Sequence, residues 1–293
     1  MTDGIFLINK QKLVTSNNTL SLFKERTKIN KAGILGILDP HATGILPIVT
    51  GQALKYIQFI QTNKKGYCVE CKLGQSSVSG DLETDLVQYT DEKLVIENLN
   101  IQTVKDTFKN FLGKYMQVPP MYSSTKFKGK PLYKYARKNI HIHREHKERY
   151  IYSLEFKSLE KGLLKFNTLC SSGTYIRTLV EDLATKWNLH ACLTNLDRFL
   201  VEPFEDYHAV SIDEINLNNL DETKISIDKM LRKFNSVELK NKDIDNIYMG
   251  QPIEKPSNLS NDELVRLYNE KNIFCGIGHY LDGQISPKRL MKR

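Results

Sequence analysis

Between Ala32 and Leu54, in AGILGILDPHATGILPIVTGQAL, only Asp39 and His41 can ionise. Gly33, Gly36, Gly44 and Gly51 accompany this lone carboxylate, and no Lys-Ser or Lys-Thr follows the last of them, so the segment is not a phosphate-binding P-loop. Glycines beside a single carboxylate let a ligand's backbone come close, and aliphatic neighbours keep water away, which suits an aspartate that does chemistry. The same letters suit an Asp that merely caps a turn through Asp39-Pro40. Spacing alone leaves the two readings even.

A second segment, CSSGTYIRTLVEDLATKW, carries a charge in need of a partner. Ser172, Gly173 and Thr174 read as a strand end and helix N-cap, after which Ile176, Leu179, Val180, Leu183 and Trp187 make an apolar stripe of helical period. Arg177 then falls in the first helical turn, where a cation opposes the helix dipole at a cost of about 0.3–1 kcal/mol unless an anion is near. Glu181, one turn on, offers a weak contact. Asp39 offers the alternative, a buried ion pair.

The third chemical feature is a run of positive charge. From Ser124 to Tyr150 six Lys and three Arg face only Glu145 and Glu148, interleaved with Phe127, Tyr133, Tyr135 and Tyr150. Cations that neutralise phosphates and aromatics that stack on bases make this the candidate nucleic-acid surface, with Lys126, Lys128, Lys130 and Arg137 among its cations. The competing reading is an ordinary solvated loop. The whole chain leans the same way, with 42 Lys and Arg against 34 Asp and Glu, a net +8 that favours a polyanionic partner. His141, His143 and His146 have no Cys or second His cluster close in sequence and sit among cations, so no metal is expected there. Cys68 and Cys71 are a CxxC in letters only, two positions inside a strand pattern with no partner pair.

The elements that must position these residues follow from two periods. Helical spacing recurs at Leu20 and Phe23 after the cap-like Ser16-Asn17-Asn18, at Ala53, Leu54, Ile57 and Ile60, and at Val104, Phe108, Phe111 and Leu112. Strand alternation in YCVECKL puts Tyr67, Val69, Cys71 and Leu73 on one face and Glu70 and Lys72 on the other. The class expected is mixed α/β. At 293 residues the chain suits one large domain with a small appendage. A boundary is expected near Lys233, giving a main body over 1–232 and a β-rich module over 233–293 built from LVRLY, IFCGIGHYL and a basic end. Five cysteines without framework spacing read as reduced thiols, and neither a signal peptide nor a membrane-length apolar run is visible, so a cytoplasmic location is expected.

Seven motifs, in order and across nearly the whole chain, resemble the bacterial tRNA pseudouridine-55 synthase (TruB) family: LINKQKLVTSN, AGILGILDPHATGILPIVTGQALK, KKGYCVECKLGQ, QVPPMYSSTKFKGKPLYKYAR, CSSGTYIRTLVEDLA, LTNLDRF and FCGIGHYLDGQISPKRLM. The resemblance implies an isomerase that converts uridine in the T-loop of tRNA to pseudouridine without cofactor or metal. The implied fold is an α/β (α+β) catalytic domain around a mixed, largely antiparallel sheet, plus a small PUA-like RNA-binding domain. Carried over by position, Asp39 and Arg177 match the catalytic aspartate and its paired arginine. Tyr67, Tyr175 and Leu196 match positions of the uracil pocket, and Lys10 and Arg198 match basic positions on the RNA side. The implied partner is the T-stem-loop of tRNA, with no membrane and a monomeric enzyme.

The chain departs from the family pattern where Ile34-Leu35 replaces His-Thr, where Asn9-Lys10-Gln11 replaces Asp-Lys-Pro, and where Ser77-Val78-Ser79 replaces Thr-Asp-Thr with Asp81 retained. A histidine expected to stack into the space left by a flipped base is therefore missing. That keeps a non-catalytic RNA-binding protein or RNA-folding chaperone as the rival reading, against which stands the intact set of Asp39, Tyr67 and Arg177.

Overall fold

The computed structural model describes residues 3–60, 63–254 and 258–292. Apolar runs bounded by turns fold into a nine-stranded sheet whose strands, in chain order, are β1 (Gly4–Lys10), β2 (Ala32–Ile34), β3 (Thr43–Thr50), β4 (Lys64–Leu73), β5 (Gly113–Gln117), β6 (Lys147–Glu160), β7 (Leu163–Ser171), β8 (Ala191–Val201) and β9 (Val210–Ser211). Across the sheet the order is β9-β1-β3-β8-β4-β7-β6-β5, with β2 paired to β3. Only β1–β9 and β3–β8 are parallel, so the sheet is mixed and largely antiparallel.

Strand β4 shows why the site forms where it does. Tyr67, Val69, Cys71 and Leu73 point into a core that also holds Val104 and Phe108 of helix α2 (Ile101–Asn110) and Leu179, Val180 and Leu183 of helix α3 (Ile176–Thr185), taking α1 as Ser16–Thr27. That period-2 burial carries Tyr67 beneath the start of α3, where Arg177 is. Cys68 is exposed and Cys71 buried, and all five cysteines are free thiols. Both faces of β1 are covered, Ile5 and Leu7 by one cluster and Phe6 and Ile8 by another with Phe23 of α1. The beginning of β3 is tied to β8 at Gly44, where a Cβ would lie 2.4 Å from the Arg198 carbonyl oxygen; with φ at +99° only glycine fits this approach.

Three local expectations change. The N-cap of α1 is Thr15, whose Oγ1 accepts from Asn18 N–H, while Ser16 is buried inside the first turn. Residues from Gly51 to Phe59 form two short 3₁₀ turns rather than an α-helix, because Leu54, Ile57 and Ile60 repeat every three residues and four apolar positions do not separate that period from 3.6. At α3, Tyr175 takes the N-cap position without a side-chain cap; its N–H goes instead to Gln117 Oε1 at 2.8 Å, and Trp187 lies beyond the helix, bonded to Thr107.

A second, five-stranded sheet begins at Ser236. Its strands β10 (Ser236–Leu239), β11 (Ile253–Glu254), β12 (Glu263–Asn269), β13 (Phe274–Leu281) and β14 (Gln284–Leu290) run in the order β10-β12-β13-β14-β11, and Ile244 and Ile247 of α4 (Asn241–Tyr248) pack on Val265, Leu267 and Ile285. The module is docked, not tethered. Tyr56 of the main body meets Phe274 at 5.9 Å between ring centroids and donates its hydroxyl to the Arg289 carbonyl, and Ile277 joins the core of Ile5, Leu7 and Val49.

Tyr56→Ala should therefore cost about 3–5 kcal/mol by emptying this seam, whereas Tyr56→Phe, losing only the hydroxyl's bond, should cost about 1 kcal/mol. Urea denaturation of the whole chain measures both; equal losses would contradict the packing argument.

Candidate active site

Asp39 lies in the loop between β2 and β3, which is held by one turn of its own and by side chains from elsewhere in the chain. The backbone turns at Asp39, whose carbonyl accepts from Ala42 N–H. Ser16 Oγ both donates to the Leu38 carbonyl and accepts from its N–H, at 2.8 and 2.9 Å. Arg198 Nη2 donates to the Gly36 carbonyl at 2.9 Å and its Nε to that of Ile45 at 2.8 Å, gripping the loop on both sides. Lys10 Nζ donates to the carbonyls of Pro40, Gln11 and Val14.

These contacts correct the expectation that Lys10 and Arg198 face RNA. Each is only 1 % exposed. Both spend their protons on loop carbonyls, which is how a buried cation replaces its lost water. Burial pushes the Lys10 ammonium down to about 8, against the pull of Asp39.

The turn leaves the Asp39 side chain free for Arg177. Arg177 Nε stands 3.0 Å from Asp39 Oδ2, and Nη2 donates to Oδ1 at 3.2 Å. The guanidinium, 4 % exposed, also donates to the carbonyls of Ser79 at 2.7 Å and Tyr122 at 2.8 Å, and its Nε lies 3.6 Å from Asp81 Oδ2. Asp81 is buried, and that oxygen has no hydrogen-bond partner among the described residues. Arg177 thus faces two carboxylates from two loops, and these form its ion pairs; Glu181 forms none with it, and burial pushes the Glu181 carboxyl up to about 7 against the pull of Arg177.

Burial pushes the Asp39 carboxyl above its ordinary range, Arg177 pulls it back, and the negative charges of Asp81 and Glu83 push it up again. Even so, 36 % of its side-chain surface remains open, and it opens into a cleft. The cavity holds about 460 Å³ and is walled by Tyr67 and Lys65 of β4, Leu196 of β8, Ser123 and Ser124, Tyr175 and Ile37. The structure therefore gathers Asp39, Arg177, Tyr67, Tyr175 and Leu196 around one space. Burial pushes the Tyr67 hydroxyl up to about 12, so it stays a neutral donor and wall. Tyr175 is held by its hydroxyl to Thr125 and its carbonyl to Gln117. Ile34 is half-buried at the end of β2, paired with Ile48, and Leu35 packs against the Tyr56 core.

Sequence reasoning missed Arg177's second ion pair, with Asp81; the buried Ser123 hydroxyl, which has no partner among the described residues; and Lys65, whose ammonium burial and Arg198 push down to about 8. The strand period that turns Tyr67 inward also turns Lys65 inward. Lys126, Lys128, Lys130 and Arg137 are all exposed. They stand on a two-stranded hairpin, Lys126–Phe127 with Lys130–Pro131, and on the short helix Leu132–Ala136 that follows. Tyr133 N–H bonds the carbonyl of Ser123, so this cationic rim continues directly from the cleft wall.

A mixed sheet thus presents an arginine-paired aspartate in a cleft that runs on into a cationic rim. The chain belongs to the TruB family of pseudouridylate synthases, an isomerase family: the model of its N-terminal domain matches residues 24–176, and that of the C-terminal part of pseudouridine synthase II TruB matches 236–291. Among similar chains, tRNA pseudouridine synthase B of Hydrogenovibrio crunogenus is 37 % identical over 292 residues, covering 98 % of this chain and 93 % of that one. The enzyme of the same name from Buchnera aphidicola subsp. Baizongia pistaciae is 37 % identical over 285 residues, with 94 % and 92 % covered. A chain in the structure of an H/ACA RNP bound to a substrate RNA containing 2′-deoxyuridine has the same fold, with a TM-score of 0.72 at 16 % identity over 100 % of this chain and 86 % of that one.

Arg177→Ala would leave Asp39 and Asp81 without their shared cation. Breaking a buried pair costs about 3–5 kcal/mol, and the lower end is expected because Asp39 keeps contact with the cleft. Asp39 titrates above 3.8 in the folded protein and would titrate higher still in the variant. The folded variant then holds a proton that the unfolded chain has released, so its deficit grows as pH rises through that interval and shrinks on acidification. Urea titrations of both proteins at mildly acidic and neutral pH read this; a deficit independent of pH would contradict it.

Proposed function

We propose that this chain is a tRNA pseudouridine synthase that isomerises uridine 55 in the T-loop, with Asp39 as the essential carboxylate. One observation carries the reading: a carboxylate held bidentately by a buried arginine at the edge of a cleft whose other walls are largely uncharged. The name shared by the relatives, tRNA pseudouridine synthase B, supports the substrate class.

The reaction breaks the C1′–N1 bond, turns the uracil and joins C1′ to C5; the proton leaves C5 and N1 gains one, so no atom is lost. A target base inside a folded RNA must first be extruded into the pocket. Asp39 then acts at the nucleotide, by covalent addition or as a base at the ribose, with Arg177 fixing its orientation from behind. Tyr67 and Leu196 wall the freed uracil so that it turns instead of diffusing away, and Tyr175 closes the helix side. The rim of Lys126, Lys128, Lys130 and Arg137 takes the phosphates.

Asp39→Asn should abolish pseudouridine formation on an unmodified tRNA transcript while leaving affinity nearly unchanged, because binding is spread over many phosphate contacts. Substantial turnover by the Asn variant would refute the assignment, and an inactive native protein with full affinity would favour a non-catalytic RNA chaperone. If the ionised carboxylate is the reactive form, the single-turnover rate falls on the acid side at a pH above the ordinary 3.8.

Replacing Lys126, Lys128 and Lys130 together by Glu should weaken RNA binding and flatten its salt dependence by about one unit of slope per lost contact. An unchanged slope returns the hairpin to an ordinary solvated loop.

A further inference from the structure

The described residues leave one cation in the catalytic cleft without a partner. Lys65 lines the same cavity as Asp39, yet its ammonium makes no hydrogen bond and no ion pair among the described residues. Arg198, its nearest charged neighbour, is of the same sign and has its donors on Gly36 and Ile45. The turn at Gly36 leaves room for both: a Cβ there, at φ +83°, would lie 3.0 Å from Lys65 Nζ and 3.8 Å from Arg198 Nη1. Lys65 at the cleft wall and the buried Arg198 behind it are thus two like charges held close on either side of Gly36, while Asp39 is committed to Arg177. Such an arrangement stores electrostatic attraction for an anion that arrives with the ligand.

We infer that Lys65 is a substrate-positioning residue that binds the backbone phosphate of the nucleotide extruded into the cleft. The inference rests on the reading of the cleft as a uridine site. The only anions that RNA brings are its phosphates, and one beside the target nucleotide must follow it inward. Lys65 then anchors the backbone while the uracil turns against Tyr67, and Gly36 is small so that the ammonium can reach the phosphate. Around Lys65 stand Arg198 from β8, Cys170 from β7, Tyr67 from its own strand, and Asp39, Arg177 and Tyr175 across the cleft. With its ammonium lowered to about 8, the amine loses charge at mildly alkaline pH unless a phosphate holds the proton on.

The test is a binding titration and single-turnover kinetics on one unmodified tRNA transcript with the native chain, Lys65→Met and Lys65→Arg. For Lys65→Met we expect affinity to fall roughly tenfold or more and the salt slope to flatten by about one unit, with the saturated single-turnover rate within about tenfold of native. Lys65→Arg should restore affinity and slope. Raising the pH from about 7 to about 9.5 should weaken native binding more than that of Lys65→Arg, whose guanidinium keeps its charge. Lys10 titrates in the same range but is unchanged in the Arg variant, so the difference belongs to Lys65. Unchanged affinity and slope in Lys65→Met, or, should that variant fail to fold, identical pH dependence of the native and Arg proteins, would overturn the proposal. So would an Arg variant that binds normally but loses more than about a hundredfold in the chemical step, which would make the amine a proton carrier. Binding needs no turnover, so an inactive native protein would refute the proposed reaction while the titrations still decide the phosphate contact.

Discussion

The Arg177 guanidinium is the point on which the site depends. It joins the start of α3 to three loops: through Asp39 to the β2–β3 loop, through Ser79 and Asp81 to the loop beyond β4, and through Tyr122 to the segment leading to the cationic hairpin. A buried guanidinium is costly unless its donors are met with good geometry, and here the Asp39 carboxylate and two carbonyls accept from it while Asp81 adds a second negative charge at 3.6 Å. The cleft exists because these loops converge on one charge, so the placing of Asp39 and the shape of its pocket have a common origin.

Buried cations recur around the same loop for a related reason. Lys10 and Arg198 give their protons to carbonyls on both flanks of Asp39 and leave little freedom in its backbone. A carboxylate that must meet a substrate atom within a few tenths of an ångström gains more from a fixed backbone than from another charge beside it. The chain's basic residues therefore divide into two groups. Those inside hold the loop, those outside form the rim, and Lys65 stands between them at the cleft.

Asp39 was legible because no other acid surrounds it, and Arg177 because a cation at a helix start has to find an anion. Strand alternation gave Tyr67 only its face, and its place at the site came from the family resemblance. The contacts of Asp81, Ser79 and Tyr122 with Arg177 were not legible: Asp81 stood out only as a residue the family pattern retains, and the other two contribute backbone carbonyls, which leave no trace in residue type, from 98 and 55 positions away. Lys10 and Arg198 misled because a cation is exposed by default, and only the structure shows carbonyls arranged to receive one. The mixed, largely antiparallel sheet was expected from the family resemblance, and the β-rich tail already from its own strand-like pieces. The 3₁₀ turns after β3 were not, since four apolar residues cannot distinguish a period of three from 3.6.

The most direct measurement is to incubate the pure chain with an unmodified tRNA transcript and determine pseudouridine at every uridine, beside the Asp39→Asn protein. The account predicts conversion at one position, uridine 55 in the T-loop, and none anywhere with the variant. Conversion that persists in the variant would contradict it, as would a native protein that binds the transcript and leaves every uridine unchanged.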